Sequence, residues 1–162
     1  MAQSDSDRAL QQCLLDRLID LEPASNVEPP STRAQSLRQF KAAVRRDLEW
    51  LLNTHRSIDV VPETYQELPK SVFVYGLPDL AGVALENAQD ERRLVRMIET
   101  AIATFEPRLT RVRVMPRQAV SKSVHSLAFQ IEAMLQVDPA PERISFDTVL
   151  EVARGAYEVT GI

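Results

Sequence analysis

Apolar residues recur at two different periods along this chain, and the change of period divides it. Between Gln12 and Leu21 the apolar positions are Leu14, Leu15, Leu18, Ile19 and Leu21, which predicts a short amphipathic helix. Ser31 or Thr32 can cap a second and clearer helix. Its stripe is Leu37, Phe40, Val44, Leu48, Leu51 and Leu52, at steps of three and four, and it ends near Asn53–His55. Arg38, Lys41 and Arg45 fall on another face of the same helix, and Trp50 lies off the main stripe. A third helix runs from Asn87 or Asp90 to Phe105, with Leu94, Ile98, Ile102 and Phe105 as its inward stripe. Pro107 disfavours helical geometry at Glu106, so the helix stops there.

Beyond that point the period becomes two. Arg111-Val-Arg-Val114 alternates charged and apolar residues. Leu127, Phe129, Ile131, Ala133, Leu135 and Val137 alternate with the residues between them. Asp138-Pro-Ala-Pro-Glu142 reads as a turn. Ile144, Phe146, Thr148, Leu150 and Val152 form a further strand, Arg154-Gly155 a tight turn, and Tyr157 and Val159 a last strand. Helices first and strands later predict an α+β class, with N-terminal helices packed on a C-terminal antiparallel β-sheet. The proline-containing stretch Glu22–Ser31 reads as a linker or extended arm. Residues 56–86, broken by Pro62, Pro69 and Pro78, read as a long ordered connection with one helical turn or short strand. The expected division is therefore 1–30, an N-terminal helix and arm, and 31–162, a single domain.

Composition narrows the classes. With 162 residues, 44% hydrophobic and 26% charged, the chain can bury a core without metals or disulfides. No apolar run is long enough to span a bilayer. The polar, acidic start lacks the features of a secretory signal. The single cysteine, Cys13, cannot form an internal disulfide. A cytoplasmic protein is the expectation, without direct membrane insertion. The net charge of −4 hides two basic segments: residues 31–60 hold 6 basic and 3 acidic groups, and residues 111–125 hold 4 and 0. These are either solvated faces or a nucleic-acid surface. No glycine-rich or aromatic-basic motif accompanies them, so no nucleic-acid partner is expected.

The chemistry-bearing residues are sparse. Cys13, His55 and His125 lack metal-ligand spacing, so no metal is expected, and no glycine loop offers to cradle a cofactor phosphate. Glu106 ends a helix with a buried stripe. A glycosidase would need it as one of two carboxyl groups, with a raised pKa. Its neighbour Arg108 would hold it ionised instead. Phe105-Glu-Pro-Arg-Leu109 is thus either a helix stop with an incidental charge pair or a motif presented to a partner at a helix–strand corner.

Here the sequence resembles the TssE family, the small wedge subunits of type VI secretion baseplates, which are grouped with the lysozyme-like wedge proteins of contractile phages. Five kinds of segment carry the resemblance in order. They are Leu14-Leu-Asp-Arg-Leu18 with Asp20 and Pro23, then Arg46-Asp-Leu-Glu-Trp-Leu-Leu-Asn53, then Ser71-Val with Tyr75-Gly-Leu-Pro-Asp-Leu80. Glu106-Pro-Arg-Leu109 follows, and Phe129-Gln-Ile131 and Phe146-Asp-Thr148 complete the set. Val74 departs from the pattern, where a polar residue, often Asn, is expected. The resemblance implies a non-enzymatic structural role, with TssF, TssG and TssK as wedge partners and the sheath proteins TssB and TssC growing on the platform. Glu106, Pro107, Arg108 and Leu109 carry over as the wedge contact. A peptidoglycan-cleaving enzyme is the alternative, and it would need a second carboxylate and a cleft at Glu106. The last strand, with Tyr157, Glu158 and Val159, is the expected sheet edge for sheath docking, and proline at Glu158 is expected to block it without unfolding the strand.

Overall fold

The computed structural model describes residues 10–19, 23, 32–57, 62, 64–78, 88–117, 126–151 and 154–161. Within them lie α1 (Leu14–Leu18), α2 (Arg33–Asn53), α3 (Ala88–Phe105) and four strands, β1 (Leu109–Arg117), β2 (Ser126–Leu135), β3 (Glu142–Glu151) and β4 (Ala156–Thr160). The strands form one antiparallel sheet in the order β1-β2-β3-β4. The α+β class and the helices-then-strands order are as the periodicity predicts. Residues 1–9, most of the arm Glu22–Ser31, the loop end Asp79-Leu80, Asn87, residues 118–125 and Val152 lie outside the described residues.

Thr32 is the cap of α2. Its hydroxyl accepts from the Gln35 N–H, and its own N–H donates to Gln35 Oε1 at 2.9 Å. Such a box satisfies two of the orphan donors at a helix start. Phe40, Val44, Leu48, Leu51 and Leu52 are buried, and Leu94, Ile98 and Ile102 form the matching stripe of α3. Both stripes meet the inward face of the sheet, from which Phe129, Ile131, Ala133, Leu135, Ile144, Phe146 and Leu150 project. α3 packs beside β1 and α2 beside β4, so each helix accompanies one margin of the sheet. No helix among the described residues is long and apolar enough to cross a membrane.

Three local features depart from simple periodicity. β1 carries a register shift between Thr110 and Arg113, with Arg111 at φ 53°. Strict alternation from buried Leu109 would turn Arg113 inward. The extra residue restores Val114 to the core and leaves Arg113 in solvent. The connection after α2 contains two 3-10 turns, Leu68–Lys70 and Val72–Val74. It then returns to pair with the exit of α2, where Leu77 N–H donates to Thr54 O and Arg56 N–H to Leu77 O, both at 2.9 Å. Gly76 makes this return possible: its φ is +102°, and a Cβ there would stand 2.1 Å from Thr54 O.

The third departure is α1. The expected helix Gln12–Leu21 is cut to five residues, none of them buried, with Leu14 70% and Leu18 74% exposed. The reason is polar. Asp16 is held by Arg46 of α2, Leu10 N–H by the Ser36 hydroxyl, and Gln12 by Gln39. α1 is fastened to α2 through its polar groups, so its leucines face outward.

Candidate functional site at the helix–strand corner

The corner begins where α3 can no longer continue. Glu106 N–H makes the last helical bond, to Ile102 O at 2.9 Å, and Pro107 has no N–H to offer. The chain turns, Leu109 N–H donating to Glu106 O at 3.1 Å, and enters β1. Arg108 O accepts from Gln136 N–H at 2.8 Å, which ties the turn to the end of β2.

The Glu106 carboxylate is turned inward, its side chain only 6% exposed. Arg108 meets it as a fork. Nε donates to Oε1 at 2.6 Å, and Nη2 donates to Oε2. The same Nη2 reaches Asp47 Oδ2 of α2 at 2.6 Å. Asp47 Oδ1 in turn accepts from Arg46 Nε and Nη2, at 2.9 and 2.7 Å. Arg46 Nη2 extends the chain to Asp16 Oδ1 of α1 at 2.7 Å, and Cys13 Sγ closes on Asp16 Oδ2. One line of alternating charge therefore runs Glu106–Arg108–Asp47–Arg46–Asp16 across three elements. The Phe40 ring lies beneath Arg108, 5.8 Å from Cζ to its centroid. Arg46 stacks over Trp50, which is half exposed, at 4.8 Å. Arg108 Nη1 is buried and has no hydrogen-bond partner among the described residues.

The electrostatics follow from this geometry. Burial alone would lower the Arg108 pKa, but the hydrogen bonds and charge of Glu106, and then of Asp47, outweigh it and hold the guanidinium above its ordinary range. Burial would raise Asp16, yet the Cys13 hydrogen bond and Arg46 carry it below the usual carboxylate value. The Tyr75 phenol is raised by burial, then by the charges of Asp47 and Glu106. Tyr75 sits against Phe105, ring centroids 5.2 Å apart and edge-on.

Segments far apart in sequence thus converge on one corner: Asp16 from 14–18, Arg46 and Asp47 from 46–53, Tyr75 from 75–80, and Glu106 and Arg108 themselves. Sequence reasoning missed Asp47, Arg46 and Tyr75 as members. The signal was present only as three charged or aromatic residues inside segments quoted for other reasons. Of the residues assigned to partner contact, Leu109 is a core residue, Glu106 is buried, Arg108 is partly exposed and Pro107 is exposed. A second carboxylate, Asp47, does stand near Glu106, but Arg108 lies between the two and bonds both. A cavity of about 640 Å³ lies between α3 and the return loop, against Arg93, Met97, Gly76 and Leu77, and neither carboxylate lines it.

Tyr157, Glu158 and Val159 are placed elsewhere, on β4, which is a margin of the sheet as expected. The margin is covered, however. Tyr157 N–H donates to Asn53 Oδ1 and Tyr157 O accepts from Asn53 Nδ2, both at 2.8 Å. Both main-chain groups of Tyr157 therefore point away from β3. Antiparallel pairs alternate, so Val159 shares that outward phase and Glu158 is bonded to Val149 within the sheet. Proline at Glu158 would break this internal ladder, contrary to expectation; Val159 is the outward position. Tyr157 and Val159 are 5% and 1% exposed beside α2.

Comparison with known proteins adds three findings. A family model described as "Baseplate wedge protein gp25" matches residues 38–140. The match takes in α2 from Arg38 onward, the corner and β2, and ends before β3. Among solved structures, a chain of "The baseplate complex from the type VI secretion system" aligns at 16% identity and a TM-score of 0.47. The alignment covers 77% of this chain and 97% of that one. Comparison with curated proteins gives no match.

Proposed function

The chain belongs to the gp25 family of baseplate wedge proteins, and from that premise we propose that it is a TssE-like wedge subunit of a type VI secretion baseplate. Its role there is structural. The observation that carries the reading is the convergence of the family-like segments on Arg108, which bonds Glu106 and Asp47 at once. A bidentate arginine held by two carboxylates is a geometric lock. It fixes the α3–β1 corner against α2 and presents Pro107 as a rigid, exposed tip beside it.

In this reading the corner meets the wedge proteins TssF and TssG, with TssK in the same assembly. β4 is the side on which the TssB–TssC sheath starts. Residues 31–162 form the wedge domain, and 1–30 a helix and arm tied to it through Asp16 and Arg46. The assembly stands on the cytosolic side of the inner membrane. Catalysis has no part in it. The space between the two carboxylates, where a substrate would have to enter, is filled by the Arg108 guanidinium, which bonds both.

Co-purification tests this. Wild-type protein should recover TssF and TssG from a type VI-positive extract. Arg108→Ala should recover far less, at a temperature where circular dichroism shows it folded. Arg108→Lys should restore little, because a lysine cannot span both carboxylates as a fork. Undiminished recovery by both variants would overturn the corner as wedge contact. Clearing of a peptidoglycan suspension by the wild type, lost in Glu106→Gln, would restore the enzyme.

A further inference from the structure

α3 carries two stripes. One is the buried set that meets the sheet. The other borders the cavity of about 640 Å³ opposite the return loop, a volume in the range of binding pockets. Asp90, Arg93, Met97, Ala101 and Phe105 line it at the three- and four-residue steps of one helix face. At about 1.5 Å per residue that wall is roughly 22 Å long. Arg56, Val74, Leu77 and Pro78 face it from the loop side. The cavity is therefore a groove running along most of α3.

Its lining is uneven in charge. Arg93 and Arg96 stand on one wall and Arg56 on the other, all three exposed. Among the described residues, none of these guanidinium groups meets a carboxylate. Asp90, the carboxylate in the lining, has a partner of its own. Beside the arginines, Val74, Leu77, Met97 and Phe105 offer apolar surface. The Thr100 and Thr104 hydroxyls donate within their own helix, to Arg96 O at 2.7 Å and Thr100 O at 2.8 Å. Three unpaired cations next to apolar surface complement an occupant that is apolar and negative.

The backbone around the groove is already satisfied. α3 bonds its own groups, and the N–H and C=O of Leu77 are taken by Thr54 and Arg56. An extended chain lying here would find no ladder to join, and its backbone groups would lose water without a partner. A helix satisfies its own. We propose that this groove receives an acidic amphipathic helix of a partner protein, laid along α3, with apolar side chains against Leu77, Met97 and Phe105 and carboxylates over Arg56, Arg93 and Arg96. The site is distinct from the helix–strand corner, since Asp47, Glu106 and Arg108 do not line it, and it stands whether or not the corner is a wedge contact.

Direct binding to the full chain tests this. The probe is a fluorescent synthetic peptide of about 16 residues, long enough as a helix to follow the wall, with leucines along one face and glutamates flanking them. One control carries lysines in place of the glutamates, another serines in place of the leucines. Wild-type protein should bind the glutamate–leucine peptide, more weakly as salt is raised, and each control at least about tenfold more weakly. Arg93→Glu combined with Arg96→Glu should reduce affinity for the glutamate–leucine peptide about tenfold or more and reverse the preference between glutamate and lysine. Arg93→Gln combined with Arg96→Gln, which adds no repulsion, should lose affinity several-fold at an unchanged melting temperature, because both residues are exposed. A clear fall in that temperature would mean that the arginines are held from within this chain, and the proposal would be wrong. It would be wrong too if wild-type protein ignored the glutamate–leucine peptide at millimolar concentration, bound either control as tightly, or lost nothing on either double substitution.

Discussion

α2 is fastened at both ends of its second half, and the two fastenings have opposite character. At Asp47 it joins the Glu106–Arg108 pair through full charges in a mostly buried setting. Six residues later, at Asn53, it joins Tyr157 through a neutral amide at the surface. A buried ion pair is unforgiving, because removing one member leaves the other charge desolvated and alone. A neutral amide pair is replaceable, because water or another backbone can supply the same bonds at little net cost. The corner is held in one geometry by charges that cannot be removed singly; the β4 margin is held by bonds that water can supply instead.

The largest effect should fall on the charged end. Arg108→Ala should lower the unfolding free energy by about 3–5 kcal/mol, read from the denaturant midpoint at constant slope. Glu106→Gln paired with it should recover part of that loss, since the stranded charge is gone. A loss no larger than that at the amide end would erase the contrast.

Between the two fastenings, Leu48 anchors the same helix by apolar packing alone. Leu48→Ala should cost about 2–5 kcal/mol, given that the residue is fully buried. An unchanged melting temperature would contradict the register that places Asp47 and Asn53 where they are.

The amide end should respond less. Asn53→Ala leaves one N–H and one C=O of Tyr157 to find water, at about 1–3 kcal/mol in total. The loss should appear first as faster local exchange at Tyr157.

The smallest effect belongs to the outer link of the charged line. Asp16→Asn should cost less than about 1 kcal/mol at pH 7, because Arg46 is partly solvated. The Asp16 pKa is lowered in the folded chain from an ordinary 3.8. Its contribution is therefore present above about pH 4 and is lost as pH falls through the folded value. The difference between wild type and Asp16→Asn should shrink steadily as pH falls below about 4. A difference that persists in acid would mean that Asp16 acts through shape rather than charge.

Much of this was legible in the residues themselves. The stripes of α2 and α3, the Thr32 cap, the stop at Pro107 and the alternation of β2 and β3 all follow from rules that reach only a few residues along the chain. α1 was legible as a helix and misleading as a packing element. Its leucines follow helical spacing, but Asp16 found Arg46 and turned them outward. β1 was read from four alternating residues; its bulge depends on the partner strand and has no local signature.

What the sequence by itself determined was periodicity, and with it the class, the order of elements and most of the core. It also singled out Glu106 and Arg108 as a pair, since two residues apart across a proline they can hardly avoid each other. What only the tertiary structure decided was the third partner. Asp47 lies 61 residues from Arg108, and Asn53 lies 104 residues from Tyr157. Spacing along a chain says which face a side chain occupies. It does not say which distant group that face will meet, because that depends on how α2 and α3 settle beside the margins of a sheet formed by the last third of the chain.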